Sequence, residues 1–160
     1  MNQQTSPKSQ AGKAFTSKTM FSRETTVSVN IEADPSIVWA LLTHLSDVPR
    51  WNSTVTSIKG EVKEGGAIEL KSTLDAKRTF KLKVKEIVPE KRLVWGDAQA
   101  SRVYTLDKSA GDGTLFTMSE KIGGPLFPLF AGYIPSFDES FEHFAVDLKN
   151  EAETIQHSKK

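Results

Sequence analysis

Polar and apolar residues alternate from about residue 24 to residue 31. After Pro35, the apolar residues recur at the spacing of a helix. The inward set of the alternating stretch is Thr25, Val27, Val29 and Ile31. This period of two predicts a strand with one buried face. Asp34-Pro35 then predicts a helix start, because Asp is a favoured N-cap and Pro fits the first helical position. Apolar residues at helical spacing continue to Leu45, and a second short helical turn is predicted for 46–52.

Six further stretches have the composition of strands. They lie near 55–62, 67–74, 78–88, 92–97, 100–106 and 115–122. Turn residues separate them at Gly65-Gly66 and in the segments 75–77, 89–91 and 111–113. Because every connection is short, neighbouring strands are expected to pair antiparallel as a meander.

Residue parity predicts which face of this sheet is covered. Ile68, Leu70 and Leu74 share one face, which continues in the next strand through Phe80, Leu82 and Val84. Lys81, Lys83 and Lys85 fall on the opposite face, so the sheet has one apolar and one solvated side. The alternation slips between Val84 and Ile87, which predicts a β-bulge.

The last quarter of the chain has the pattern of an apolar connector followed by a long helix. Gly123-Gly124-Pro125 ends the final strand, and an apolar segment runs to Ile134. A helix is predicted for 135–156, with Ser136 and Glu139 spaced as a capping box. Its apolar stripe consists of Phe137, Phe141, Phe144, Ala145, Leu148, Ala152 and Ile155. We expect this stripe to cover the apolar face that carries Leu70 and Leu82.

Length and composition favour one ordinary globular domain. The 160 residues are 38% hydrophobic with a formal net charge of +1, which leaves no basic footprint for nucleic acid. Residues 1–20 are rich in Gln, Ser, Thr and Lys and have no period, so they are expected to form a disordered N-terminal tail. Residues 21–157 are expected to form the single domain.

Several kinds of chemistry lack the residues they require. The chain has no cysteine and three histidines without metal-ligand spacing, and it has no phosphate-binding glycine loop. We therefore expect no metal and no cofactor. Neither a signal peptide nor an integral membrane segment is visible, so a cytoplasmic location is expected.

The order of these elements resembles the helix-grip fold of the SRPBCC superfamily. The resemblance covers about 23–156 and is carried by 33–39 (ADPSIVW), 47–52 (DVPRWN), 92–95 (RLVW), 113–117 (GTLFT) and 137–144 (FDESFEHF). The superfamily includes START lipid-transfer domains, pollen-allergen-type proteins and bacterial polyketide cyclase/dehydrase-like proteins. The resemblance implies an α+β fold in which a curved seven-stranded antiparallel sheet wraps around a long C-terminal helix, with two short helices after strand 1.

The resemblance also implies a cavity between sheet and helix, since a curved sheet and a straight helix do not touch along their whole length. Three functions remain open: binding of a small apolar ligand such as a lipid or polyketide-like molecule, cyclase/dehydratase-type catalysis, and a co-chaperone-like protein interaction whose partner is unknown. The expected ligand-binding residues are Leu70, Phe80, Leu82, Trp95, Tyr104, Phe116, Met118, Phe127, Phe130, Phe137, Phe141 and Ala145.

Polar candidates for catalysis are few. Counting back from the 111–113 loop places Arg102 opposite Glu120 and Tyr104 opposite Met118 on the covered face. Two charges there would need each other, or a polar ligand group, to offset their desolvation. His143 lies at the margin of the helix stripe. No catalytic residue is assigned, and Arg102, Glu120, Tyr104 and His143 are the candidates.

Overall fold

The computed structural model describes residues 11–109 and 111–159. Its strands are β1 (Phe15–Lys18), β2 (Ser22–Ile31), β3 (Val55–Gly60), β4 (Ala67–Ser72), β5 (Asp75–Val88), β6 (Arg92–Gly96), β7 (Ala100–Lys108) and β8 (Thr114–Gly123). Its α-helices are α1 (Pro35–Thr43), α2 (Val48–Trp51), α3 (Phe127–Phe130) and α4 (Asp138–Ser158). Short 3₁₀ turns at Leu45–Asp47 and Ala131–Tyr133 precede α2 and follow α3.

All described strands form one antiparallel sheet in the order β1-β2-β8-β7-β6-β5-β4-β3. The meander from β3 to β8 brings its last strand beside β2, and α4 lies on the concave side. The α+β helix-grip fold is thus confirmed. The sheet has eight strands instead of the seven expected, and the additional strand is β1.

Strand β1 corrects the expectation of a disordered tail through residue 20. Phe15–Lys18 pairs with β2, while residues 1–10 lie outside the described part of the chain. The Thr16 hydroxyl lies 2.9 Å from the Thr25 hydroxyl and donates to Asp138 at 2.5 Å. The N–H of Ala14 donates to Glu142 at 3.1 Å. Composition misses such a strand because backbone pairing with β2 and polar contacts with α4 hold it in place, while its apolar residues are only partly buried.

The hairpin between β4 and β5 turns two residues earlier than expected. Ser72 lies opposite Asp75, so residues 73 and 74 form the turn and the predicted turn at 75–77 is wrong. The Ser72 hydroxyl accepts a hydrogen bond from the N–H of Leu74 at 3.2 Å, which closes the tighter loop. The predicted bulge is confirmed by a register shift between Val84 and Glu86.

Helix α4 begins at Asp138, three residues after the predicted start, and ends at Ser158 instead of residue 156. Phe137 is its N-cap residue, and no side chain caps the helix in the manner of the predicted box. Arg23 donates to the carbonyl oxygens of Ile134 at 3.2 Å and Pro135 at 2.8 Å. These contacts occupy carbonyls that an earlier helix start would use, and they hold the preceding chain against β2.

The core lies between the concave face of the sheet and the apolar stripe of α4. The helix packs mainly against β2, with further contacts to β8, α1 and α2. Its buried residues are Phe141, Phe144, Ala145, Leu148 and Ala152. The lysines of β5 at 81, 83 and 85 are exposed on the other face, as parity predicts.

Candidate functional site

A cavity of about 240 Å³ separates the first turn of α4 from the β4–β5 hairpin. This volume is well above the ~10–15 Å³ that holds one water molecule, so the space admits a small organic molecule. Its apolar lining consists of Val55, Leu70, Leu74, Phe80, Leu82, Ala100, Ile122, Phe130, Tyr133, Ile134, Pro135 and Phe137. Its polar lining consists of Thr54, Ser72, Asp75, Arg78, Asp97, Gln99, Arg102, Glu120 and Ser140.

The β4–β5 hairpin forms one wall because it extends beyond the reach of α4. Phe80 and Leu82 point to the concave side but stay only partly buried, whereas Val84 farther along β5 is fully buried. The same alternation of residues thus produces packed core at one end of β5 and cavity wall at the other.

The connector between β8 and α4 forms the opposite wall. Phe127 is buried, and its ring meets that of Phe130 edge to face with centroids 5.6 Å apart. Phe130, Tyr133 and Ile134 border the cavity. The apolar connector predicted from the sequence therefore covers one side of the cavity.

Arg102 and Glu120 form an ion pair in the cavity wall. The predicted register is confirmed, and Arg102 Nε donates to Glu120 Oε1 at 2.9 Å. The two side chains are only 14% and 16% exposed. The guanidinium carbon also lies 5.1 Å from the centre of the Phe141 ring. Burial alone would lower the pKa of Arg102, but the negative charge of Glu120 raises it by more, so the guanidinium stays charged.

Tyr104 lies next to this pair but faces a second, much smaller cavity. Its ring contacts Trp95 edge to face, with centroids 5.3 Å apart. Burial raises the pKa of the Tyr104 phenol, which keeps it neutral. The smaller cavity of about 20 Å³ also borders Trp51, and the indole nitrogens of both tryptophans are buried without a hydrogen-bond partner in the described structure. This space holds one water molecule at most.

Only part of the expected ligand-binding set borders the large cavity. Leu70, Phe80, Leu82, Phe130 and Phe137 do so, together with the polar candidates Arg102 and Glu120. Seven other expected residues are buried in the core without contributing to its lining: Trp95, Tyr104, Phe116, Met118, Phe127, Phe141 and Ala145. His143 is exposed on α4 and lies apart from the cavity.

Sequence reasoning missed the polar mouth of the cavity and the role of Arg23. The Asp97 carboxylate accepts hydrogen bonds from the N–H groups of Gln99 at 2.8 Å and Ala100 at 2.9 Å, which shapes the β6–β7 turn at the mouth. The sequence pattern places Asp97 only at the end of a predicted strand. Arg23 shares the parity of Thr25 and Val27, so the alternation of β2 already placed it on the covered face.

Among residues 11–109 and 111–159, no cluster of three or more acidic or histidine side chains could hold a metal ion. In the same part of the chain, no helix combines the length and the apolar character needed to cross a bilayer.

Comparison with known proteins gives one family match and several structural likenesses. Residues 22–153 match the family model described as polyketide cyclase / dehydrase and lipid transport. A search of curated proteins finds no match.

Solved structures with the same fold share little sequence with this chain. A START superfamily protein from Mycobacterium smegmatis has a TM-score of 0.62 at 14% identity and covers 82% of this chain and 98% of its own. A conserved protein of unknown function from Enterococcus faecalis has a TM-score of 0.66 at 17% identity, with 89% and 78% covered. CalU16 from Micromonospora echinospora has a TM-score of 0.55 at 17% identity, with 94% of each chain covered. At these identities the likeness shows the fold alone.

Proposed function

The chain belongs to the polyketide cyclase / dehydrase and lipid transport family, and from this premise we propose that it binds a small, largely apolar molecule carrying one hydrogen-bonding group. The observation that carries the proposal is the cavity of about 240 Å³ with an apolar wall and a buried ion pair. The apolar body would lie between the β4–β5 hairpin and the connector, and its polar group would meet Arg102 and Glu120.

Apolar contact supplies a moderate affinity by itself. A ligand that buries about 200 Å² of apolar surface would gain about 5 kcal/mol, before the entropy cost of association. Phe80 and Leu82 are the residues best placed to contribute, because they border the cavity and are only partly buried. Filling this space would complete the burial of side chains that the fold leaves half covered.

The ion pair adds selectivity for a polar group. A guanidinium has five N–H donors, and the Nε–H donates to Glu120. The remaining donors favour a carbonyl, hydroxyl or carboxylate oxygen on the ligand. A hydrogen bond to a charged group contributes about 1.5–3 kcal/mol, which corresponds to roughly tenfold to hundredfold in affinity.

Fluorescence of an environment-sensitive apolar dye tests the cavity directly. Leu82→Trp should fill the space and abolish dye enhancement while the far-UV circular dichroism stays unchanged. Thr79→Trp is the matched control, since residue 79 is exposed on the outer face of the same strand. Dye enhancement that survives Leu82→Trp, or disappears equally in both variants, would contradict binding at this site.

Native mass spectrometry of the protein purified from its own host would identify the ligand. A retained molecule with an apolar skeleton and one or two oxygen groups is the expected result. Arg102→Gln should lose this molecule more readily than the parent protein on dilution. Retention of a strongly polar or polyanionic molecule would contradict the proposed ligand class.

A second candidate function is catalysis in the same cavity. It is favoured by the position of the Glu120 carboxylate, which borders the cavity beside a permanently charged guanidinium. Such a carboxylate can remove a proton next to a ligand carbonyl, while Arg102 stabilises the developing oxyanion. This arrangement would suit a cyclisation, or a dehydration in which the protonated Glu120 returns its proton to the departing hydroxyl group so that it leaves as water.

Glu120→Gln separates catalysis from simple binding. If the protein is a dehydratase, this variant should retain a precursor that is heavier by one water molecule than the species retained by the parent protein. Identical retained molecules in both proteins would exclude a dehydrating role for Glu120 and leave the binding function standing.

A further inference from the structure

Five large apolar side chains stand exposed at one end of the molecule. They are Met20 at 74%, Phe21 at 52%, Leu126 at 64%, Leu129 at 76% and Tyr133 at 88% exposed. We call this group the apolar tip. Elsewhere in the described structure, Val88 and Val146 are the only other large apolar side chains that are exposed. Monomeric proteins rarely expose so many large apolar side chains in one patch unless the patch binds a partner.

Two segments distant in sequence form the tip. Residues 19–21 make the turn between β1 and β2, and the Phe21 carbonyl accepts a hydrogen bond from the N–H of Gly124 at 3.0 Å, where the connector begins. Arg23 binds the Ile134 carbonyl at the far end of the connector. The turn and the connector are therefore tied together at both ends, and their exposed side chains belong to one surface.

The connector is apolar on both of its sides. Phe127 and Phe130 face the protein, while Leu126, Leu129 and Tyr133 follow one another at intervals of three and four on the outer side. A helical segment that is apolar all round is usually covered on every side. The fold covers only the inner side.

Charge distribution indicates what covers the outer side. Segments 19–22 and 122–137 contain no charged residue. Exposed lysines lie immediately behind them at positions 18, 85 and 121, and within the described residues none of the three forms a salt bridge. Lys85 Nζ donates to Ser101 Oγ at 2.8 Å, and Ser101 lies opposite Lys121. Glu24 lies opposite Lys121 on the neighbouring strand, but among the described residues the two side chains form no salt bridge.

We propose that the apolar tip docks onto the surface of a lipid bilayer containing anionic lipids. The uncharged side chains would enter the boundary between headgroups and acyl chains, and the lysines behind them would contact the headgroups. A bilayer with anionic lipids matches both features, because its apolar interior suits the uncharged tip and its negative headgroups suit the surrounding lysines. The tip also includes Tyr133, which borders the cavity, so docking would bring the cavity wall to the membrane. The proposal is independent of the ligand's identity.

Co-sedimentation of the full chain with vesicles tests this docking without any ligand. The protein should bind vesicles of phosphatidylcholine with phosphatidylserine more tightly than vesicles of phosphatidylcholine alone, and added salt should reduce the difference. Leu126→Ser and Leu129→Ser should each weaken binding by about tenfold. Lys18→Gln and Lys121→Gln should each weaken it by about fivefold.

Matched variants away from the tip serve as controls. Val146→Ser removes an exposed apolar side chain from α4, and Lys91→Gln removes a lysine from the β5–β6 turn at the opposite end of the sheet. Both should bind vesicles like the parent protein. Absence of vesicle binding, equal losses in the control variants, or self-association in ultracentrifugation that Leu129→Ser abolishes would overturn the proposal. The last outcome would assign the tip to a protein interface.

Discussion

The two ends of the concave face differ in what covers them. Where α4 lies along β2 and β8, the space is filled, and Val27, Phe116, Met118, Ala145 and Leu148 are all completely buried. Where the β4–β5 hairpin extends past the helix, Leu74, Phe80 and Leu82 remain partly exposed around the cavity. We call these regions the packed half and the open half.

Both halves follow the same alternation of apolar and polar residues, so patterning does not distinguish them. The packed half has aromatic rings in mutual contact, such as Phe116 and Phe144 with centroids 6.2 Å apart. The Arg102–Glu120 pair lies at the boundary between the halves, where it touches both Phe141 and the cavity. This boundary is the place where a ligand would meet both an apolar surface and a charged group.

The sharpest test of the comparison is a pair of phenylalanine truncations. Phe141→Ala should lower the free energy of unfolding by about 3–5 kcal/mol, because the ring is 1% exposed and leaves a void in close-packed surroundings. Phe80→Ala should cost less than about 1 kcal/mol, since its ring already borders open space. Urea denaturation of both variants measures the difference. Similar losses would show that the halves are packed alike.

The boundary between the halves is tested by breaking its ion pair. Arg102→Met leaves the Glu120 carboxylate nearly buried without its partner and should cost about 2–3 kcal/mol, somewhat less than for a fully buried pair. The double variant Arg102→Met with Glu120→Leu should recover most of that loss. If the double variant is no more stable than the single one, the stability lost in Arg102→Met comes from lost packing and not from the unpaired charge of Glu120.

The attachment of β1 to the packed half is expected to have a smaller effect. Thr16→Val keeps the shape of the side chain but removes its hydrogen bond to Asp138 and its contact with Thr25, so it should cost about 1–2 kcal/mol. Thr79→Val on exposed β5 is the control and should change stability little. Equal melting temperatures for the two variants would show that the contacts of Thr16 add nothing to stability.

The smallest effect concerns the ionisation of Tyr104. Burial raises the pKa of its phenol above 10.0, so the neutral form stabilises the folded state. This contribution is complete below pH 10 and is lost as pH rises through the folded-state pKa. In Tyr133→Phe, which leaves Tyr104 as the sole tyrosine, the near-UV absorbance of the phenolate should develop with a midpoint above pH 10. A midpoint at or below pH 10 in the folded protein would contradict the burial of Tyr104.

Sequence reasoning predicted the elements and much of the register. Antiparallel counting from one loop placed Arg102 opposite Glu120, and parity placed Lys81, Lys83 and Lys85 outside. It failed where polar contacts between distant segments decide the outcome. The strand around Thr16 depends on Asp138, and the start of α4 depends on Arg23, a residue 111 positions earlier than the Ile134 carbonyl it binds.

The cavity lining was predicted only in part, for a geometric reason. Phe116 and Leu82 both lie at apolar, inward positions, yet the structure places Phe116 in solid core and Leu82 at the cavity. The alternation in the sequence determines the face on which a side chain lies, because successive residues of a strand point to opposite sides. How far that face lies from the helix depends on the curvature of the sheet and the path of α4, which only the assembled tertiary structure decides.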